Sequence, residues 1–557
     1  MSASAPHRPV SALLFSLALA ALAAGAAPAR QEPGLSNAAY EGAQWIMFTS
    51  AARAVAGMGA RLVAGEDELG ALIRAHQELD LRIEAEAAAF RAALARGEDG
   101  AAEGATLRLS RADFAALEAE LTARFPDYAE FSFPRPMSLA ETQAHLAPHE
   151  ALVLILPGPS GSYVWAVTPD GHDWIRAPVT REELAADVRA LRADLDPSGG
   201  ARGAVALEAE VDGEAGWQPR RPGFDRARAH RLYEALLAPL APRLEGAEVV
   251  HLVTEGPLAS LPLSLLVTAP PLGEDSDPAA LQATEWLLRR HALVTLPAVT
   301  SLRALRAARP VQSGAKTGAG VGFVGIGDPV LLGPGARQDR VADEAAMAGG
   351  YYAHPDAIRA LAPLPGTARE LRAIAAAFPE GEARLFLREA ARESALRDAG
   401  LEEARVISFA THGLLSDELA GLAEPALVLT PPGAASEGDD GLLTASEAAM
   451  LRLSADWVIL SACNTAGGDS LGAESLSGLA RAFFFAGARS LLVSHWPVRD
   501  DAAAALVSQT VTAQVGGMDR AGALRLAMLE LMARPDGRFA HPSAWAPFVL
   551  VGEGGAQ

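Results

Sequence analysis

The amino-acid sequence predicts an α/β protein, a mostly parallel sheet flanked by helices on both faces and preceded by a small α-helical region. Three observations carry this expectation. From about residue 225 onward, short runs rich in Val, Ile and Leu alternate with helical stretches, the pattern of strands joined by crossover helices. These runs are apolar at successive positions, as over 249–253 and 457–460, which fits strands covered on both faces. Residues 36 to about 128 show helical spacing of apolar residues and no strand run.

The elements follow in chain order. Arg8 precedes an apolar run over 13–24 and small residues ending Ala27-Pro28-Ala29, the layout of a secretory signal cleaved near Ala29. Residues 1–29 are therefore expected to direct export to the periplasm or the medium, leaving no stable membrane span. The alternative is an anchor formed by residues 10–27, at the lower length limit for spanning. In the helical region, 30–128, Leu62, Leu69, Leu72 and Ile73 recur at helical spacing, as do Leu79, Leu81, Ile83 and Phe90. Ser110-Arg111-Ala112-Asp113 predicts the capped start of a helix ending near Phe125. The space suits a few degenerate tetratricopeptide-like helices, a surface for a protein partner, although no 34-residue self-match is present. Residues 129–222 read as an α/β segment. Strands over 151–156 and 163–168 flank the hairpin turn Pro157-Gly158-Pro159-Ser160-Gly161, and Thr180-Arg181-Glu182-Glu183 caps a helix reaching Leu195. The sheet domain, 223–557, alternates. Helix 227–240 precedes strands 249–253 and 322–326. The capping-box pattern Thr367-Ala368-Arg369-Glu370 opens a helix, followed by strand 383–387, helix 392–399, and strands 406–410 and 426–429. Helix 444–450, strand 457–461, helix 475–486, strand 490–494 and helices 500–515 and 520–532 complete it.

Composition excludes several classes. Among 557 residues the net charge is −21, which argues against a nucleic-acid binder and against a polybasic membrane-surface protein. There is one cysteine, Cys463, so neither an internal disulfide nor a cysteine zinc site can form. No H-E-x-x-H occurs, Pro148 breaks the His145–His149 spacing, and Gly314-Ala315-Lys316-Thr317 lacks the glycine a phosphate loop needs before its lysine. No cofactor and no metal are expected.

Sites in open α/β sheets form at the carboxyl ends of strands. Two such ends carry chemistry, Phe409-Ala410-Thr411-His412-Gly413 and Leu460-Ser461-Ala462-Cys463-Asn464-Thr465. A histidine followed about fifty residues later by a cysteine is the caspase order. A free thiol, with a pKa of about 8.5, is little ionised at neutral pH, and an adjacent imidazole makes it a strong nucleophile. Gly413 leaves backbone N–H groups uncrowded for an oxyanion. A rival pattern, Gly468-Asp469-Ser470-Leu471-Gly472, matches the nucleophile elbow of serine hydrolases, with Asp500, His495 and His541 as partners. Its serine stands nine residues beyond the strand end, where an elbow serine belongs on the turn itself.

With these motifs the sequence resembles the CHAT domain, the bacterial caspase-like family related to caspases and separases. The resemblance covers roughly 225–553. It rests on Leu232-Tyr233-Glu234-Ala235-Leu236-Leu237-Ala238-Pro239, Glu255-Gly256-Pro257-Leu258-Ala259-Ser260-Leu261-Pro262, Leu364-Pro365-Gly366-Thr367 with Glu370, the two strand ends above, His495-Trp496-Pro497-Val498, and Trp545-Ala546-Pro547-Phe548. It implies a caspase-like sheet and a cysteine endopeptidase acting on a protein or peptide, with His412 as base, Cys463 as nucleophile, and backbone N–H groups of Gly413 and Cys463 in the oxyanion hole. Relatives among the separases and gingipains accept a basic residue before the scissile bond. Asp469 and Glu474 after Cys463, and Asp417 and Glu418 after His412, are the candidate carboxylates for it. The reading from a different class is a non-catalytic interaction module that keeps the fold.

Overall fold

The computed structural model describes residues 33–47, scattered positions between 72 and 90, and residues 101–124, 136–195, 223–307, 321–333, 355–396, 398–415, 419, 422, 424–433, 439–462 and 478–554. An eleven-stranded sheet organises most of them. Its strands are β1 (Glu150–Gly158), β2 (Gly161–Thr168), β3 (Gly171–Ala177), β4 (Val249–Thr254), β5 (Ala292–Thr295), β6 (Phe323–Gly327), β7 (Ala383–Leu387), β8 (Val406–Ala410), β12 (Trp457–Ser461), β13 (Ser490–Ser494) and β14 (Phe548–Gly552). They lie in the order β3-β2-β1-β4-β5-β14-β13-β12-β8-β6-β7. Only β1–β2, β2–β3 and β13–β14 pair antiparallel. The sheet is therefore mostly parallel, as expected, but in two blocks. The block β1, β4, β5, β14 runs opposite to the block β13, β12, β8, β6, β7, and the join is the pairing Ser494↔Phe548.

Two cores, one on each face, follow from the pleat. Along β12, Trp457 and Ile459 enter one apolar cluster and Val458 and Leu460 the other; along β1, Val153 and Ile155 oppose Leu152 and Leu154. Alternation between two buried faces is why these strands read as continuous apolar runs. The first core holds apolar faces of α4 (Arg181–Leu195), α5 (Arg226–Leu236), α7 (Pro365–Ala375), α9 (Asp500–Val515) and α10 (Arg520–Met532). The second holds α1 (Pro33–Ile46), α3 (Leu139–His145) and α8 (Gly478–Ala486), together with α6 (Val299–Ala307). The first helix of the N-terminal region, α1, thus packs directly on the sheet. Tyr40 of α1 meets Trp165 of β2 edge-on at 6.1 Å and shares a hydrogen bond with Thr142 of α3 at 3.2 Å.

Several expectations need correction. Residues 101–124 form one helix, α2 (Ala101–Arg124), which runs through Ser110. The Ser110 hydroxyl donates to Glu86 Oε1 instead of capping a helix start. Helix 392–399 shrinks to Glu393–Leu396. Strand 426–429 lies outside the main sheet. It forms β10 (Ala426–Val428) of a separate antiparallel sheet with β9 (Gly413–Leu414) and β11 (Leu442–Thr444). α7 begins at Pro365, and Thr367 caps nothing. Its Oγ1 accepts from the Asp328 N–H and donates to the Leu364 carbonyl. The boxes at Thr180/Glu183 and Thr444/Glu447 do form. No helix among the described residues is long and apolar enough to cross a membrane, and residues 1–29, on which the expectation of an export signal rests, lie outside them.

Candidate active site

β8 and β12 are parallel neighbours whose last residues stand side by side, Ala410↔Ser461. His412 follows two residues after Ala410, and Cys463 two residues after Ser461. The register alone brings the two sequence-predicted strand ends to one edge of one sheet. Cys463, Asp469, Ser470 and Glu474 lie outside the described residues, as do Asp417 and Glu418.

His412 is buried at 3% exposure, and its Nε2 lies 2.8 Å from the Ala362 carbonyl oxygen. A carbonyl only accepts, so Nε2 carries the hydrogen and the lone pair of the neutral ring sits on Nδ1. Burial pushes the imidazole pKa down, against the Ala362 carbonyl and the Asp500 carboxylate, which pull it up. The ring is thereby kept as a neutral base with one nitrogen anchored. Backbone contacts set its height. The His412 carbonyl accepts from the Val428 N–H at 2.9 Å, and the Thr411 hydroxyl donates to the Val428 carbonyl. Hydrogen-bonded and non-hydrogen-bonded positions alternate in an antiparallel ladder, so Gly413, paired with Leu427, directs its N–H away from β10.

Two carboxyl groups that the sequence reading did not assign to the favoured dyad line the same cavity as His412. The cavity is about 40 Å³ and is walled also by Gly366, Ser461 and Val498. Glu370 of α7 is buried, with Oε2 3.2 Å from Ser461 Oγ. Burial and the Asp500 charge raise its pKa to about 8 against the Ser461 bond. Asp500 opens α9. Burial raises its pKa, while Arg369, a hydrogen bond from the Gly366 N–H and His412 lower it. Gly366 lies at the N-terminus of α7, where the helix dipole favours a carboxylate. Its lack of a side chain lets the two helices close, since a Cβ there would stand 2.6 Å from Asp500 Cγ. Glu370 was hidden because Thr-x-x-Glu before an apolar run reads as a cap, and Asp500 because an acidic first turn is ordinary helix chemistry. The available signal was that Glu370 belongs to a segment of the resemblance and Asp500 stands two residues beyond another, His495–Val498.

The partners of the serine pattern fall elsewhere. His495, after β13, is fully buried, and burial and then Arg192 push its pKa down to about 3, which leaves it a weak base. His541 Nδ1 pairs with the Ser543 hydroxyl at 2.9 Å. Among the described residues no group of three or more His, Cys, Asp and Glu side chains is arranged to hold a metal.

The sequence matches the CHAT domain over residues 226–553. The chain belongs to the CHAT domain family. Tetratricopeptide repeat protein 28 of Mus musculus is 28% identical over 387 residues, 61% of this chain and 14% of that protein. Its Homo sapiens counterpart is 27% identical over the same share. The chain thus spans about a seventh of the length of these curated relatives. Among solved structures, the Saccharomyces cerevisiae separase–securin complex aligns with a TM-score of 0.41 at 10% identity, over 77% of this chain and 31% of that one. The Arg-specific cysteine proteinase gingipain R aligns at 0.33 and 10% identity, over 59% and 68%. The CHAT match begins at Arg226, yet β1, β2 and β3 continue the same sheet upstream of it.

Proposed function

We propose that this CHAT protein is a cysteine endopeptidase in which Cys463 is the nucleophile and His412 the general base. The observation that carries the reading is the Ala410↔Ser461 register, with His412 and the chain's single cysteine each two residues beyond it. The chemistry follows from the side chains. His412 Nδ1 takes the Cys463 thiol proton, and Sγ adds to the scissile carbonyl carbon. The imidazolium returns the proton to the leaving nitrogen as the C–N bond breaks. Water, deprotonated by the same nitrogen, then hydrolyses the thioester. The Nε2–Ala362 bond fixes the tautomer this sequence needs. The outward N–H of Gly413, with the N–H of Cys463, supplies the oxyanion donors.

The substrate is a protein or peptide with a basic residue before the scissile bond. Asp469 and Glu474 are the carboxylates for that residue on the loop after Cys463, and Asp500 adds another on the wall beside His412. A partner docks on the N-terminal helices, and residues 1–29 direct export. The test is labelling by a peptide acyloxymethyl ketone. Modification at Cys463, absent in Cys463→Ala, supports the peptidase. A folded protein that turns over no peptide and takes up no probe points to the non-catalytic interaction module. A tagged precursor shortened near Ala29 outside the cytoplasm supports export, and a full-length soluble cytoplasmic protein contradicts it.

A further inference from the structure

We propose that β7, an outer edge of the sheet, is a self-pairing surface: two copies of this chain join antiparallel along it, with the twofold axis at Leu385. β7 ends the strand order on one side, so one row of its backbone groups has no strand to meet. Its bonds to β6 show which groups these are. The Glu382 carbonyl accepts from the Phe323 N–H at 3.0 Å, and the Arg388 N–H donates to the Asp328 carbonyl at 3.1 Å. Backbone groups of successive strand residues point to opposite sides, so Glu382, Arg384 and Phe386 turn theirs to β6, as does the Arg388 N–H. Ala383, Leu385 and Leu387 turn theirs outward, and no described residue bonds them there. The edge is poorly guarded against pairing. Ala383-Arg384-Leu385-Phe386-Leu387 has no proline and only one charge. Leu385, Phe386 and Leu387 are half-buried, whereas the inner neighbours β6 and β8 are buried throughout.

The outward groups fix the register. The antiparallel arrangement centred on Leu385 bonds all three outward residues of both copies, with about six hydrogen bonds, and any shift leaves a residue unmet. The side chains fit the same register independently. On one face Leu385 meets its own counterpart, and Ala383 meets Leu387 of the second copy. All three pack partly on the first core, so that core continues across the axis. On the other face Arg384 lies opposite Phe386 of the second copy, and Glu382 lies opposite its Arg388, so that opposite charges meet at two places. Arg388 is 49% exposed and reaches Asp328 at 3.5 Å, which leaves it able to serve a second carboxylate. One patch serves both partners, the isologous arrangement that closes a dimer. β7, β6 and β8 run parallel, and the axis reverses the second copy, so the two His412 edges lie at opposite ends of the joined sheet. A strand pair of this length is at the small end of protein interfaces, so the dimer forms reversibly at micromolar concentrations.

Sedimentation equilibrium of the purified chain from about 1 to 200 µM tests the pairing, with Tm as the check on folding. The expected wild-type distribution moves from monomer towards dimer across that range. Glu382→Arg and Arg388→Glu each set like charges against one another at two places and should weaken the dimer about tenfold or more. The double swap Glu382→Arg/Arg388→Glu restores the opposite charges and should restore the dimer. Cross-linking reads the register. In a Cys463→Ala background, Leu385→Cys places two thiols face to face on Cα atoms about 5.5 Å apart, within disulfide reach, and should oxidise to a covalent dimer. Arg384→Cys, whose counterparts stand diagonally about 7–8 Å apart, should not. A wild type that stays monomeric at about 200 µM overturns the inference. So does a dimer that both folded single swaps leave at wild-type strength, and so does cross-linking through Arg384→Cys equal to that through Leu385→Cys.

Discussion

Arg306→Ala should cost far more than the loss of one surface arginine, because it strands a buried carboxylate. Glu150 opens β1 at 2% exposure. Arg306 of α6 approaches both of its oxygens at 2.6 Å, and His251 Nε2 of β4 lies 3.4 Å from Oε1. Burial alone would raise the Glu150 pKa; His251, the Ala147 N–H and Arg306 outweigh it and hold the carboxyl well below the usual range. Removing one partner of a buried pair typically costs about 3–5 kcal/mol. The stranded group has one escape. It can take up a proton, at about 1.4 kcal/mol per pH unit above an unfolded pKa near 4.5, or roughly 3 kcal/mol at pH 7. That escape sets the sign of the pH dependence. In the wild type, Glu150 contributes stability that is present above the unfolded pKa and lost as pH falls. In Arg306→Ala the carboxyl keeps His251 and the Ala147 N–H but loses the guanidinium, so its folded pKa rises and acidification relieves the variant. The deficit should therefore be about 3 kcal/mol at pH 7 and about 1 kcal/mol near pH 4.5. Urea denaturation at the two pH values measures it. The double variant Glu150→Gln/Arg306→Met should recover to within about 1–2 kcal/mol of wild type, because the pair is replaced rather than broken. A pH-independent loss below about 1 kcal/mol would refute the argument and, with it, the claim that β1 is integral to the sheet domain.

Three further outcomes follow from the site. Glu370→Gln should be more stable than wild type by about 3 kcal/mol at pH 7 and equal to it near pH 4. The raised folded pKa costs the wild type stability progressively between the unfolded value of 4.5 and about 8, and parallel denaturation curves across that window check it. Gly366→Ala forces its Cβ against Asp500 and should cost about 1–3 kcal/mol by overpacking, read as a lower Tm with slower probe labelling. Arg192→Ala removes hydrogen bonds to the Ser260 and His495 carbonyls at 2.6 and 3.0 Å and a cation–π contact with Trp496. It should destabilise by about 1–3 kcal/mol, and an unchanged Tm would contradict the clamp.

Where one physical signal dominated, the fold was legible. The β1–β2 hairpin was readable because Pro157 to Gly161 interrupt two apolar runs, and α9 matched its expected bounds of 500–515. β3 escaped because His172, Asp173 and Arg176 sit on a half-exposed edge and dilute the strand pattern. β5 has four residues and directly follows Arg289-Arg290-His291, too short for a periodicity to register. β14 returns antiparallel to β13 and reverses the direction of half the sheet, which depends on long-range pairing that no local pattern encodes. In the candidate site, His412 stood out because a histidine at the end of an apolar strand is locally odd. Glu370 and Asp500 did not, because Glu370 reads as the last residue of a Thr-x-x-Glu cap and Asp500 sits in a helix first turn, where carboxylates are commonplace. Their significance lies in the closure of α7 on α9 around Gly366.

The coupling between His412 and Cys463 is the central claim, and the pH dependence of Cys463 alkylation tests it most directly. Iodoacetamide reads this residue alone because the chain has no other cysteine. With the imidazole as partner, the wild type should react rapidly below the ordinary thiol range, with an apparent pKa at least about one unit under 8.5. His412→Ala, still folded, should return the profile to about 8.5 or above. Identical profiles for wild type and His412→Ala would contradict the account.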